Sequence, residues 1–146
     1  MAWVRLTRPG DLRWHAPYRA TEADAVARLG AGFAALNRRH FGGALPAVPI
    51  QISGRLRRRL GQITFERATG RPIAITIARR HLAVHDWRDL EETLLHEMVH
   101  LWQSVNGHAV DHGPIFRAKA RELGVTAAAR RTVRAATCGT GDGPAS

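Results

Sequence analysis

Between residues 96 and 112 the chain reads HEMVHLWQSVNGHAVDH, four histidines and one glutamate within seventeen positions. His96 and His100 are four residues apart. On a helix that spacing puts both imidazoles on one face, a turn from each other, which is the geometry for two nitrogens to share one zinc ion. Glu97 lies beside them without needing to be a ligand. Zinc in such a site makes water a nucleophile near neutral pH, and a neighbouring carboxylate can take its proton as it attacks a carbonyl. The H-E-x-x-H order is that of zinc-assisted peptide hydrolysis, with Glu97 as general base.

A hydrolytic zinc needs a third protein ligand and an open position. A metzincin would carry glycine three residues after His100 and histidine three after that; here those positions hold Gln103 and Asn106. Three candidates remain by spacing. His112 stands just before Pro114, His108 lies in the same loop, and Glu122 on the following helix would complete a gluzincin-type site.

These residues require a helix to carry them, and the sequence supplies one. Asp86 is a suitable N-cap, and Asp89, Glu91 and Glu92 suit the positive end of the helix dipole. Leu94, Leu95, Met98, Leu101, Trp102 and Val105 form an apolar stripe, and Asn106-Gly107 stops it. Pro114 opens a last helix in which Ile115, Phe116, Ala120 and Leu123 can pack. Upstream, Thr21 caps a first helix with Asp24 three residues on, and Val26, Leu29, Phe33 and Leu36 recur at helical spacing. Gly42-Gly43 ends that helix.

Three period-two runs lie between. VPIQIS puts Val48, Ile50 and Ile52 on one face, QITFE does so with Ile63 and Phe65, and PIAITIA with Ile73, Ile75 and Ile77. The pattern predicts a small sheet covered on one side, its second and third strands joined by a turn at Gly70. The expected fold is therefore α+β: an N-terminal helix, a three-stranded sheet, the HExxH helix and a closing C-terminal helix. Residues 1–20 read as an arm with aromatics at irregular spacing, and residues 124–146 as a basic, flexible tail.

The motif residues carry a resemblance. HEMVHLWQ followed after a short loop by DHGPIF resembles the SprT family of zinc peptidases, and LNRRHFGGALP, LGQITF and ITIARR are similar to its segments upstream. The likeness covers residues 21–123. It implies a zincin-like fold and zinc held by His96, His100 and His112, with Glu97 as base. It also implies a protein substrate laid along a sheet edge, and in some members DNA-bound or DNA-crosslinked proteins as targets with DNA as activator. Many members add a zinc ribbon of paired cysteines; with Cys138 alone, this chain cannot build one.

Secondary roles attach to other residues. His108 is positioned to stabilise an oxyanion, and Glu92 or Asp111 to orient a ligand imidazole. Arg55, Arg57, Arg58 and Arg59 form the densest cationic cluster and suit phosphate contact. His81 and His85 read as surface residues, Trp87 and Trp102 as packing. The formal net charge of +10 points toward an acidic partner such as single-stranded or junction-containing DNA. Against that stands a compositional bias, since Lys119 is the only lysine and arginine supplies every other cation. Two alternative functions follow: a DNA-independent zinc peptidase, and a nucleic-acid-binding module with a structural or latent zinc site. The single cysteine, the lack of an apolar leader after the first charges and the lack of a membrane-length apolar run predict a cytoplasmic protein that does not enter a membrane.

Overall fold

The computed structural model describes residues 21–125 and three strands of two residues each. In chain order the elements are β1 (Val4–Arg5), β2 (Trp14–His15), α1 (Glu22–Phe41), β3 (Ile50–Ser53), β4 (Gly61–Phe65), β5 (Pro72–Ala78), α2 (Arg79–Val84), α3 (Trp87–Val105), α4 (Pro114–Leu123) and β6 (Ala136–Thr137). Beyond these short strands, the arm expected over residues 1–20 and the tail beyond Val125 lie outside the described residues.

The helix ends follow the local chemistry. Thr21 and Asp24 form a reciprocal capping box at the start of α1, and Gly42 closes it with a left-handed φ of 60°. Asn37, buried near the end of α1, ties down the chain that leaves it. Its amide nitrogen donates to the Leu45 carbonyl at 2.9 Å and its oxygen accepts from the Leu45 N–H at 3.1 Å. Asp86 caps α3 by accepting from the Asp89 N–H at 3.0 Å. Pro114 stands at the first turn of α4, where a missing N–H costs nothing.

The sheet is mixed, in the order β3-β5-β4-β6. β3 runs parallel to β5, whereas β4 and β5 form an antiparallel hairpin closed at Gly70, which has φ 71°. β6 runs parallel to β4 but pairs only with Thr64 and Phe65. The outer edge of β4 from Gly61 to Ile63 therefore has no strand partner among the described residues.

α1 and α3 pack together and on the sheet. Leu29, Phe33 and Leu36 of α1, Ile50, Ile63, Ile75 and Ile77 of the strands, and Leu94, Met98 and Leu101 of α3 share one core with Phe116 of α4. Trp87 and Trp102 pack against it partly buried. Arg28 stacks its guanidinium 3.9 Å from the Trp87 ring centre, and Lys119 reaches over Trp102. Among the described residues no helix is long and apolar enough to cross a membrane.

Two expectations need correction. In β5 the alternate residues Ala74, Thr76 and Ala78 are buried along with Ile75 and Ile77. The strand is central, and Gln51 reaches across from β3 to donate to the Thr76 hydroxyl at 2.9 Å. His81 is fully buried rather than on the surface, because residues 79–84 form the short helix α2 and turn its ring inward.

Replacing Asn37 with alanine would leave the buried N–H and carbonyl of Leu45 without their partner. We expect a loss of about 2 kcal/mol in stability, read from the urea unfolding midpoint of the full chain.

Candidate metal centre

α3 is buried continuously from Thr93 to Leu101, so His96, Glu97 and His100 are all shut from solvent. Their helix face looks toward the loop that leads into α4. His112, in that loop, brings its Nε2 to 3.2 Å from Nε2 of His96 and 3.2 Å from Nε2 of His100. One ligand atom from each of the three lies within 4.8 Å of the other two.

The donor set fits a zinc ion. Zinc–imidazole bonds of about 2.0–2.1 Å at tetrahedral angles separate neighbouring nitrogens by about 3.3 Å. The two 3.2 Å separations match that edge. Burial, opposed by the hydrogen bond with Gln103 and aided by the nearby His112, lowers the pKa of His100 to about 3. A neutral ring is the form a metal requires.

Phe116 forms the floor. It is fully buried, and its ring centre lies 4.5 Å from that of His100 in a stacked arrangement. The rings of His96 and His112 are each 4.9 Å away. One apolar side chain from α4 thus touches all three imidazoles and limits their rotation.

The start of β4 closes against the same stretch of α3. A methyl group on Gly61 would come within 2.8 Å of Thr93 Cγ2 and 3.1 Å of Glu97 Oε1. Only glycine lets the strand approach this closely. Thr93, a turn before Glu97, lies with its hydroxyl 2.8 Å from Nε2 of His81, whose Nδ1 is 2.7 Å from Nδ1 of His85.

The other sequence candidates fall elsewhere. Glu122 is exposed and pairs with Lys119 at 2.7 Å, away from the three nitrogens. His108 lies beside Trp102, with ring centres 5.4 Å apart and the planes tilted by 44°. Glu92 is half-buried on α3 one turn before His96. Asp111 uses its carboxylate to accept from the Gly113 N–H at 2.9 Å, so it shapes the loop. The group beside His100 Nδ1 is Gln103, at 2.8 Å. Arg55, Arg57 and Arg58 are exposed in the β3–β4 loop, while Arg59 donates to Gln62 at 2.9 Å.

Sequence reading singled out neither Gly61 nor Gln103 as part of the site, and took Phe116 only as a packing residue. The signal for Phe116 was its distance of four residues from His112 at the start of a helix, which returns an aromatic ring to the ligand. Gly61 and Gln103 carry no local signal of their own.

Comparison with known proteins places the chain in a family. The model of the SprT-like family matches residues 29–138. The chain is similar to the DNA-dependent metalloprotease SPRTN of Rattus norvegicus, 36% identical over 96 residues, which is 64% of this chain and 19% of that protein. The Homo sapiens protein of the same name is 34% identical over 96 residues, again 64% of this chain and 19% of the relative. The DNA-dependent metalloprotease dvc-1 of Caenorhabditis elegans is 33% identical over 101 residues, 66% of this chain and 27% of the relative. The chain thus matches only 19–27% of the length of these relatives.

Phe116→Ala would open a cavity beneath the three rings. We expect a loss of about 3–5 kcal/mol in stability. Zinc should also be held less tightly, as seen in chelator competition by the fraction that remains folded.

Proposed function

We propose, from the premise that the chain belongs to the SprT-like family, that it is a zinc-dependent endopeptidase acting on protein substrates, with DNA-bound or DNA-crosslinked proteins as targets and DNA as activator. The observation that carries the reading is the convergence of three imidazole nitrogens from His96, His100 and His112 on α3 and its following loop, with Glu97 next to the first. Three imidazoles suit zinc better than the harder divalent ions. Zinc bound there would polarise a peptide carbonyl and lower the pKa of water.

The chain's own residues supply the rest. His96, His100 and His112 would hold the ion. Glu97 is the general base that takes a proton from the attacking water and passes it to the leaving amine. An extended peptide adds to the outer edge of β4 near Gly61, where main-chain hydrogen bonds grip it without reading its side chains. That mode of binding suits an enzyme that must cut many different proteins.

DNA enters through charge. The exposed Arg55, Arg57 and Arg58 adjoin a second basic corner, in which Arg80 donates to the Arg59 carbonyl at 3.1 Å. The chain's net charge of +10 favours a polyanion. The related proteins carry DNA dependence in their names. Phosphates are gripped by arginines of the peptidase domain, of which Arg55, Arg57 and Arg58 stand exposed. A cytoplasmic location belongs to the same reading, on the single cysteine.

The test is cleavage of a basic DNA-binding protein by the zinc-loaded chain, with and without single-stranded DNA. We expect DNA to stimulate cleavage, and Glu97→Gln to retain zinc while lowering the rate by about 100- to 10,000-fold. Equal cleavage with and without DNA would keep the peptidase and remove DNA as its switch. DNA binding that persists without any cleavage would favour a binding module with a latent zinc site.

Neutralising Arg55, Arg57, Arg58 and Arg59 should flatten the salt dependence of DNA binding. Each lost phosphate contact reduces the log–log slope by roughly 0.7 for a single strand. An unchanged slope would exclude the loop from the interface.

A further inference from the structure

Gln103 is fully buried on α3, three residues beyond His100. Its two amide atoms face different partners. The nitrogen lies 3.1 Å from the Asp111 carbonyl oxygen, and the oxygen lies 2.8 Å from Nδ1 of His100. The chemistry of these partners fixes which atom faces which. A backbone carbonyl can only accept, so the atom facing Asp111 must be the NH2 group. The atom facing His100 is then the amide oxygen, which also can only accept. Nδ1 of His100 must therefore carry the proton. In a neutral ring that leaves the lone pair on Nε2, the nitrogen that faces His112 at 3.2 Å.

We propose that Gln103 is a positioning residue for the metal, a strap that sets the tautomer of His100 and, through the same amide, holds the loop bearing His112 against α3. The inference rests on the zinc reading above and deepens it. Asp111 immediately precedes His112, so the bond to its carbonyl fixes the backbone from which the third ligand projects. Other bonds stiffen the far side of that ligand. Arg117 donates to the His112 carbonyl at 3.0 Å, and the Gly113 N–H donates to the Asp111 carboxylate at 2.9 Å. The His108 N–H closes the start of the loop onto the Gln103 carbonyl at 2.8 Å.

Neither an acidic nor a cationic side chain of comparable reach fits this role. Aspartate or glutamate at position 103 could accept from His100 but would repel the Asp111 carbonyl. Lysine or arginine could donate to that carbonyl but not accept from the ring. A primary amide does both, and one residue thereby couples a helix-borne ligand to a loop-borne one. Groups that orient metal-bound histidines in this way typically alter metal affinity by about 10- to 100-fold when removed.

The test starts from the zinc-loaded full chain and measures zinc extraction by a chromogenic chelator. Gln103→Leu, close in volume and without either hydrogen bond, should weaken zinc affinity by about 10- to 100-fold. Gln103→Glu keeps an acceptor for His100 but sets a carboxylate against the Asp111 carbonyl, so it too should hold zinc more weakly than wild type. In wild-type protein the His100 Nδ1–H proton should exchange slowly and show a nuclear Overhauser contact to the Gln103 side chain.

A folded leucine variant that holds zinc as tightly as wild type would overturn the proposal. So would a glutamate variant that holds zinc as tightly as wild type, since the bond to the Asp111 carbonyl would then be dispensable. If the leucine variant does not fold, the wild-type proton decides: exchange at the solvent rate overturns the strap, and protection supports it. A wild-type chain that takes up no zinc would overturn the metal reading itself, an outcome distinct from any of these.

Discussion

Three converging imidazole nitrogens, with Nε2 of His112 3.2 Å from those of both His96 and His100, form the constraint on which the rest of the structure depends. Such nitrogens cannot all satisfy one another, because a neutral ring offers one donor and one acceptor. Their convergence has to be imposed by the surroundings. α3 does this for His96 and His100 by being buried along its middle turns, where neither ring can swing into solvent. α4 does it by sending Phe116 beneath all three rings. The loop between them does it through backbone hydrogen bonds that leave His112 little freedom.

Holding α3 in place falls to α1 and the sheet. The two helices approach closely at Gly32, where an added methyl group would stand 3.8 Å from Leu94 and 4.0 Å from Trp87. On the other side Gly61 lets β4 reach Thr93 and Glu97. Two glycines thus mark where the scaffold touches the helix that carries the chemistry. Asn37 plays the complementary part at the end of α1, turning the chain so that it can enter β3. The ion pair of Arg79 with Glu22 links the corner after β5 to the start of α1 and lies on the surface, where screening leaves it a small share in stability.

What could be read from the sequence divides along a physical line. Both long helices were legible from their caps and apolar stripes, and the three main strands from period-two alternation, because these are local properties. His96, Glu97 and His100 were legible because their geometry is set within one turn of one helix. His112 was not, on spacing alone: three loop and helix positions competed, and only resemblance to a family separated them. The residues left unread depend on contacts made across the fold. A glutamine on a helix reads as solvated until a loop closes over it, as with Gln103. Helix α2 spans six residues, too few for a period to show, and so the burial of His81 could not be anticipated. The burial of both faces of β5 depends on neighbours that its own sequence does not specify.

The basic loop and the proposed base Glu97 are joined by a short stretch of chain. Arg59 precedes Gly61 by two residues, a reach of roughly 7 Å even when fully extended. Between them the Leu60 carbonyl accepts from the Ala78 N–H at 2.9 Å, and the Arg59 carbonyl accepts from Arg80. The start of β4 is therefore pinned on one side to the β5–α2 corner and lies on the other against Thr93 and Glu97. An anion gripped by Arg55, Arg57, Arg58 or Arg80 would pull on backbone that is continuous with the strand bordering Glu97. A polyanion at this loop would have a short covalent path to the β4 edge proposed to bind the peptide. Coupling between the two would require no domain movement, only a change in how firmly the first residues of β4 are held.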